Sequence, residues 1–381
     1  MRLGVRGLIG VGVAAATMAV GIPAANAANT WTVQPVPLPS GATQATMNAV
    51  SCTSAANCEA VVTYNQSLAA AEQWNGSTWT ASQPIPGPGD DVVFLKSVSC
   101  FSADNCTAVG FAEGNEAVIT YAASWNGSTW TFTNSFRTDL SELYGVSCPA
   151  ANNCTAVGYV NSPGDNPNEP LAEKWNGKIW KDEPVPVPSE AGSGILTSVS
   201  CLSANYCLAV GHGGVGIDTA TISYLWNGTA WTELTLPAPA GSVHMDPTGV
   251  SCTAKGRCEA VGSDSDSSGT GGSFADHWDG SAWTLQSLPL PSGTTFSSLA
   301  SVSCVRFQCT AAGEYVPTGS TRYPLAEFYN GSTWTVRATA KPSGRKYFSG
   351  ISCVAATTCT AVGAALPTMP NDIALPLAEQ N

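Results

Sequence analysis

The stretch "AEQWNGSTWT" (Ala71–Thr80) decides the fold, because close variants of it recur along the chain. Two of these variants are "AASWNGSTWT" (Ala122–Thr131) and "ADHWDGSAWT" (Ala275–Thr284). Asn-Gly between two apolar segments is a strong hairpin signal, since both residues tolerate a positive φ. Each copy therefore predicts two antiparallel strands joined by a tight turn.

The cysteines form a second repeating pattern. Fourteen cysteines occur as seven close pairs, six with five intervening residues and one with four. Only three histidines accompany them, so structural zinc is the weaker explanation. Each disulfide would close a small loop, worth about 2 kcal/mol in the chain-entropy estimate. We predict the seven disulfides Cys52–Cys58, Cys100–Cys106, Cys148–Cys154, Cys201–Cys207, Cys252–Cys258, Cys304–Cys309 and Cys353–Cys359.

Successive first cysteines are 48, 48, 53, 51, 52 and 49 residues apart, which is the spacing of propeller blades. Each unit has a strand ending in Val-Ser-Cys, a polar turn, a Cys-x-Ala-Val-Gly strand, a third strand, the Asn-Gly turn and a fourth strand. One such sheet cannot bury both of its faces, whereas seven sheets packed radially bury them and leave few open edges. We predict an all-β, seven-bladed β-propeller of four-stranded antiparallel blades, with one hairpin disulfide per blade.

The two ends of the chain complement each other. The chain's last residues, "LAEQN", stop where a "WNGSTWT" segment would begin, and "ANTWTVQPVPLPSG" (Ala28–Gly41) matches "NGSTWTVRATAKPSG" (Asn330–Gly344). We therefore expect an N-terminal strand, 31–37, to complete the blade formed by 350–381. This closes the ring and makes 28–381 a single domain.

Residues 1–27 have the pattern of a secretory signal peptide. Arg2 and Arg6 precede an apolar run, Gly7–Gly21, and Ala25-Asn26-Ala27 is a small-x-small cleavage motif. The apolar run is short for a membrane span. We expect a secreted, extracellular protein without a membrane span.

The charge balance limits the possible partners. The chain carries 27 acidic and 15 basic residues, a net charge of −12, which becomes −14 without Arg2 and Arg6. A nucleic-acid partner would require a basic surface, so none is expected. The sequence also leads us to expect a monomer with no cofactor and no metal.

The combined pattern "SVSC…C-x-AVG…WNGSTW" resembles that of secreted bacterial seven-bladed β-propellers. It is more distantly similar to kelch repeats and to the Asp-box hairpins of sialidase-like propellers. It departs from both: Gly110 and Gly158 stand singly where kelch blades have Gly-Gly, and only Asp279 is acidic at the Asp-box position. The resemblance implies the propeller fold and carries over no catalytic residue.

The paired tryptophans, such as Trp74 and Trp79, have two possible roles. They could form an aromatic platform for sugar rings, or they could clamp each hairpin as a cross-strand pair. Their recurrence in nearly every unit favours the structural role, because a binding role need not be repeated.

Non-repeated residues are the better candidates for a site. In a propeller, the loops from fourth to first strands and from second to third strands share one end of the ring, here called the mouth; binding residues concentrate on such loops. The candidates for ligand binding are Asp91, Arg137, Tyr144, His244, Arg345 and Tyr347. The candidates for catalysis are His244 and Asp246 and the carboxylate pair Asp139 and Glu142.

Two further groups of residues are considered. His212 and His277 are assigned to second-to-third-strand loops, which would place both at the mouth. Asp264, Asp266 and Asp276 could bind calcium, but a solvated loop is the alternative, since EF-hand spacing is missing.

The function expected from this pattern is binding of a carbohydrate or cell-surface polymer at the mouth. The alternatives are a glycoside hydrolase or polysaccharide lyase at the same place, and a protein-interaction platform.

Overall fold

The computed structural model describes Met1 and residues 31–38, 41–89, 91–114, 118–133, 140–161, 168–214, 220–340, 344–366 and 374–381. The predicted signal peptide, apart from Met1, lies outside the described residues. Two of the candidate site residues, Arg137 and Asp139, also lie outside them.

The described residues form seven four-stranded antiparallel sheets, as predicted. Blade 1 contains β2 (Ala45–Ser54), β3 (Asn57–Tyr64), β4 (Leu68–Trp74) and β5 (Trp79–Pro84). Blade 2 contains β6 (Val92–Ser102), β7 (Asn105–Glu113), β8 (Val118–Trp125) and β9 (Trp130–Thr133). Blade 3 contains β10 (Ser141–Ala150), β11 (Asn153–Val160), β12 (Glu169–Trp175) and β13 (Trp180–Asp182). Blade 4 contains β14 (Ile195–Ser203), β15 (Tyr206–Gly213), β16 (Ala220–Trp226) and β17 (Trp231–Leu234). Blade 5 contains β18 (His244–Ala254), β19 (Arg257–Ser265), β20 (Gly271–Trp278) and β21 (Trp283–Gln286). Blade 6 contains β22 (Thr294–Val305), β23 (Gln308–Pro317), β24 (Tyr323–Tyr329) and β25 (Trp334–Arg337). Blade 7 contains β26 (Arg345–Ala355), β27 (Thr358–Leu366), β28 (Leu375–Gln380) and the N-terminal β1 (Thr32–Gln34).

The N-terminal strand closes the ring. β1 pairs antiparallel with β28, with Val33 opposite Glu379. The strand itself is only three residues long, shorter than the expected segment. Trp31, just before it, is buried with its ring centroid 5.9 Å from that of Phe348. The seventh blade is thus built from both ends of the chain.

Hydrogen bonds between neighbouring blades explain the Val-Ser-Cys motif. In every blade the serine Oγ accepts a hydrogen bond from the backbone N–H of the first cysteine of the next blade. The seven serine–cysteine pairs, all at 2.9–3.0 Å, are Ser51–Cys100, Ser99–Cys148, Ser147–Cys201, Ser200–Cys252, Ser251–Cys304, Ser303–Cys353 and Ser352–Cys52. These bonds form a closed circle, and all seven predicted disulfides are formed beside it.

The tryptophan pairs lie across the hairpins between the third and fourth strands. The ring centroids of Trp74 and Trp79 are 5.7 Å apart, and both side chains are buried. Between them, Asn75 Oδ1 accepts hydrogen bonds from the backbone N–H groups of Ser77 and Thr78, both at 3.0 Å. Gly76 adopts φ 92°, a region that favours glycine. The tryptophans and the Asn-Gly turn therefore have structural roles.

Acidic side chains are buried in five of the seven third strands, two residues before a position that is aromatic in blades 1 to 6 and Asn381 in blade 7. Glu173, for example, is completely buried and accepts a hydrogen bond of 3.1 Å from Thr120 Oγ1 of the preceding blade. Four other third-strand acids are also completely buried: Glu72, Asp276, Glu327 and Glu379. Burying a carboxyl group favours its neutral form, so these residues couple the fold to pH.

Candidate functional site

The mouth is lined by two positions of the repeat that change from blade to blade. One position is six residues before the first cysteine, on the first strand; the other follows the glycine position of the second strand. The two residues oppose each other across the strand pair in every blade. The pairs, from blade 1 to blade 7, are Thr46–Thr63, Phe94–Phe111, Glu142–Tyr159, Ile195–His212, Asp246–Ser263, Ser298–Glu314 and Tyr347–Ala364.

The first cluster of these residues surrounds a cavity of about 320 Å³ at the mouth, between blades 4, 5 and 6. His212 Nδ1 lies 3.1 Å from Asp246 Oδ1, close enough for an ion pair when the imidazole is protonated. The two side chains are 26% and 55% exposed, so a ligand can reach both. The remaining lining residues are His244, Met245, Ser263, Asp264, Ser265 and Phe296.

This cavity, here called the His/Asp pocket, contains two of the sequence candidates. His244 and Asp246 stand at the start of β18, and His212 comes from β15 of the neighbouring blade. His212 is therefore on a strand, not in the loop assigned from the sequence. Asp264 is held in place by a hydrogen bond from the Ser242 hydroxyl. The pocket presents imidazoles, carboxylates and hydroxyl groups beside an aromatic ring, a set suited to a polyhydroxylated ligand.

A second cluster, the aromatic platform, lies at the mouth of blades 2 and 3 and consists of Phe94, Phe111, Tyr144 and Tyr159. The Phe94 and Phe111 rings stack with centroids 4.9 Å apart, and the Tyr144 and Tyr159 rings stack at 6.1 Å. Lys96 Nζ joins the two pairs, since it lies 5.4 Å from the Phe111 centroid and 5.5 Å from the Tyr144 centroid. The sequence candidate Tyr144 is thus part of an aromatic surface that spans two blades.

Glu142 is tied to this platform. Its Oε2 accepts a hydrogen bond of 2.8 Å from the Tyr144 hydroxyl, and its Oε1 accepts one of 3.0 Å from the Tyr159 hydroxyl. Burial, together with the nearby Glu142 carboxylate, raises the pKa of Tyr159 to about 12 and that of Tyr144 further, so both phenols remain donors. Both carboxylate oxygens of Glu142 are therefore occupied, and its proposed catalytic partner, Asp139, lies outside the described residues.

A third cluster occurs where blades 6, 7 and 1 meet. Arg322 forms an ion pair with Glu314, with Nη1 and Oε1 2.6 Å apart. Burial raises the pKa of the neighbouring Tyr347. The candidate Arg345 begins β26, two residues before Tyr347. The candidate Asp91 does not belong to this cluster; it lines an apolar cavity of about 470 Å³ beside blade 1.

The assignment of His277 to the mouth is wrong. The residue lies on β20 directly before Trp278, at the end of the ring that carries the cysteine turns and the Asn-Gly turns, here called the base. His277 pairs with Glu259, the residue that follows Cys258, so it lies beside the cysteine turn and not in the loop between the second and third strands.

The three aspartates considered for calcium do not converge. Asp276 is completely buried in β20, whereas Asp266 Oδ1 accepts hydrogen bonds from the backbone of Ser268 and Thr270 in its own turn. In the part of the chain that the structure describes, no group of three or more His, Cys, Asp or Glu residues is placed to hold a metal ion. A search of the same residues for helices long and apolar enough to cross a membrane found none.

Sequence reasoning missed Phe94, Phe111, Tyr159 and Glu314. The signal that could have found the last three is the position after the second-strand glycine, where residues change between blades; Phe94 occupies the equally variable position six residues before the first cysteine. The strand register had to be known before this position could be assigned to the mouth.

Comparison with known proteins shows the fold. No family model matches the chain, and no curated protein matches it. The structure of YCF48 bound to D1 peptide is similar with a TM-score of 0.52 and 13% identity, covering 92% of this chain and 94% of that one. The SapL1 lectin in complex with alpha methyl fucoside gives a TM-score of 0.50 at 13% identity, with 79% and 98% coverage. The α-L-arabinofuranosidase Arb93A from Fusarium graminearum, in complex with an iminosugar inhibitor, gives 0.51 at 11% identity, with 79% and 97% coverage.

Proposed function

We propose that this protein binds a neutral carbohydrate, free or as part of a surface polymer, through the His/Asp pocket at its mouth. The observation that carries the proposal is the convergence of His212, His244 and Asp246 from two blades on one open cavity. A sequence repeat that only built the fold would not require these residues, because the positions of His212 and Asp246 vary between the other blades among Thr, Phe, Glu, Tyr, Ile, Ser and Ala.

The chemistry of the pocket supports a sugar. Carboxylate oxygens of Asp246 and Asp264 can accept hydrogen bonds from adjacent sugar hydroxyls, and the half-buried Phe296 offers an apolar surface to the ring. A volume of about 320 Å³ lies within the range of small-ligand sites, roughly 300–1,000 Å³. Anionic ligands would be repelled by the two carboxylates, so the proposal is limited to neutral sugars. The similar SapL1 and Arb93A structures hold a fucoside and an iminosugar, which is compatible with this use of the fold.

A glycan array followed by calorimetric titration of the best ligand tests the proposal. We expect Asp246→Asn and His244→Ala to weaken binding of that ligand at least tenfold, since a hydrogen bond to a charged group contributes about 1.5–3 kcal/mol. Asp104→Asn, an exposed acid in a cysteine turn at the base, is the matched control and should leave the affinity unchanged. Equal affinities in all three variants would contradict the proposal.

A second candidate function is a glycoside hydrolase or polysaccharide lyase at the same pocket. It is favoured by the 3.1 Å approach of His212 to Asp246, which could move a proton. Release of reducing or unsaturated sugar by the wild type that is lost in Asp246→Asn, but retained in Glu142→Gln, would favour this candidate over simple binding.

We further propose that the protein is secreted and acts as a monomer. Seven disulfides, one in each blade, are typical of oxidising compartments. Size-exclusion chromatography with light scattering would test the monomer, and the N-terminal sequence of the exported protein would test cleavage after Ala27.

A further inference from the structure

A second cavity opens at the base of the ring, between blades 5 and 6. Its volume is about 380 Å³, slightly larger than that of the His/Asp pocket. The lining residues that matter here are Arg257, Glu259 and His277 from blade 5 and Arg306, Phe307 and Tyr329 from blade 6. The proposed function uses none of them.

In five of the other blades the residue that ends the third strand is a tryptophan, and in blade 7 the corresponding residue is Asn381. In four of these blades the tryptophan donates its indole N–H to a carbonyl of its own cysteine turn. The four bonds of this kind, 3.0–3.2 Å long, are Trp74–Ala55, Trp125–Ala103, Trp226–Ala204 and Trp278–Lys255. In blade 6 this position is Tyr329, which has no indole to make the bond.

The cysteine turn of blade 6 is also different. Cys304 and Cys309 have four intervening residues, and Val305 pairs directly with Gln308. The other six blades carry a bulge after the first cysteine that blade 6 does not have. Arg306 has φ 62°, and its carbonyl accepts a hydrogen bond from the Thr253 hydroxyl of blade 5. Two departures from the repeat therefore coincide at the wall of the cavity.

A third departure from the repeat lies in blade 5, where a histidine is paired with a buried acid. His277 Nδ1 lies 2.6 Å from Glu259 Oε1, and the glutamate side chain is only 4% exposed. Burial, together with the carboxylate of Asp276, raises the pKa of Glu259 to about 9, and burial lowers the pKa of His277. Whichever of the two groups holds the shared proton, the pair has no net charge and does not neutralise the two arginines.

A further acid, Asp279, stands beside His277 and is held by its own turn. Its Oδ1 accepts hydrogen bonds from the backbone N–H groups of Ser281 and Ala282, at 2.7 and 2.9 Å, which lower its pKa to about 2. The negative charge of Asp279 is therefore stabilised by the backbone N–H groups of its own turn. The arginines and the exposed Phe307 remain available to a ligand.

We propose that this cavity, here called the base site, binds an acidic sugar. A carboxylate matches the forked donors of Arg257 and Arg306, while a pyranose ring can pack on the exposed Phe307. The protein as a whole has a net charge of −12, so two arginines in one cavity do not follow from a generally basic surface.

Calorimetric titration of the mature, disulfide-intact protein at pH 7 tests the base site, with D-glucuronate as the probe. D-Glucose, acetate and inorganic sulfate are the comparison ligands. We expect saturable binding of glucuronate at least tenfold tighter than binding of any of the three. Equal binding of acetate or sulfate would overturn the assignment to a sugar, and no binding of glucuronate would overturn the site.

Substitutions that restore the repeat provide variants expected to fold. Tyr329→Trp introduces the indole found in other blades and should fill part of the cavity; Arg306→Ala introduces the residue that blade 1 has there. We expect each to weaken glucuronate binding at least tenfold with an unchanged melting temperature or a higher one. Folded variants with wild-type affinity would refute the proposal.

The two sites can be tested separately. His244→Ala at the mouth should leave glucuronate binding unchanged, and Arg306→Ala should leave neutral-sugar binding unchanged. Failure of one site therefore does not imply failure of the other. Loss of glucuronate binding in His244→Ala would move the acidic-sugar site to the mouth and overturn the assignment to the base.

Discussion

Replacing Glu327 by glutamine should stabilise the protein at neutral pH and leave its stability unchanged in acid. Glu327 is completely buried on β24, and neither of its carboxylate oxygens has a hydrogen-bond partner among the described residues. Burial raises its pKa from 4.5 to about 8. The folded protein therefore holds a proton that the unfolded chain releases between these pH values.

The sign and size of the effect follow from this difference in proton binding. Below pH 4.5 both states are protonated, and the carboxyl group costs no more than a neutral amide. As the pH rises from 4.5 towards 8, the unfolded state gains about 1.4 kcal/mol per pH unit relative to the folded state. By pH 7 the ionisation of Glu327 in the unfolded state has lowered the free energy of unfolding by roughly 3 kcal/mol. Glutamine has almost the same shape and no charge at any pH, so Glu327→Gln should recover that amount.

Urea unfolding at pH 4.5 and pH 7, followed by tryptophan fluorescence with the disulfides intact, measures the difference. Glu113→Gln, at the exposed end of β7, is the matched control and should change stability little at either pH. If Glu327→Gln were less stable than the wild type at pH 7, or if the difference did not change with pH, the carboxyl would not be buried in its neutral form. The same reasoning predicts that the wild type is most stable in mild acid, because five other carboxyls have raised pKa values: Glu59, Glu72, Glu259, Asp276 and Glu379.

Two further predictions concern the closure of the ring. Ser51→Ala should lower the free energy of unfolding by about 1 kcal/mol, because it removes one hydrogen bond of the serine–cysteine circle. The same substitution should speed hydrogen exchange at the Cys100 amide. Ser67→Ala, at an exposed position, is the control and should have neither effect. Trp31→Ala should lower the free energy of unfolding in urea by about 3–5 kcal/mol, since the buried ring packs on Phe348 in the blade that the N-terminal strand completes. Val33→Ala, at an exposed position on the same strand, is the control and should lower it by less than about 1 kcal/mol. A small effect of Trp31→Ala would mean that the ring does not depend on its N-terminal strand.

The fold could be predicted from the sequence because each element of the repeat reports a local geometry. Asn-Gly predicts a hairpin, a close cysteine pair predicts two opposed strand positions, the spacing of about 50 residues indicates propeller blades, and the seven copies give their number. The serine–cysteine circle was not predictable in the same way. Ser51 bonds to Cys100 of the next blade, and this contact depends on how neighbouring sheets are offset, which no local pattern reports.

The candidate site was predictable only in part, for a related reason. His244 and Asp246 were found because they are non-repeated residues at the start of a first strand. Their contact with His212 joins two blades and requires the register of both. His277 was misplaced because it was assigned to a loop, although it directly precedes the aromatic residue that ends the third strand, as Gln73 does in blade 1, and that end of the strand lies at the base.

Both proposed sites use blade 5, and they use opposite ends of it. β18 is 11 residues long, so at about 3.3 Å per residue it holds its two ends roughly 30 Å apart. His244 starts this strand at the mouth, and Arg257 begins the next strand at the base. The repeat dictates the residues between these ends, since they form the serine–cysteine circle and the contacts with blades 4 and 6. Binding residues can therefore vary only at the two ends, where a substitution removes few contacts, and that is where the departures from the repeat occur. A rigid paired strand between them offers no alternative arrangement, so ligand binding at the mouth should leave affinity at the base unchanged.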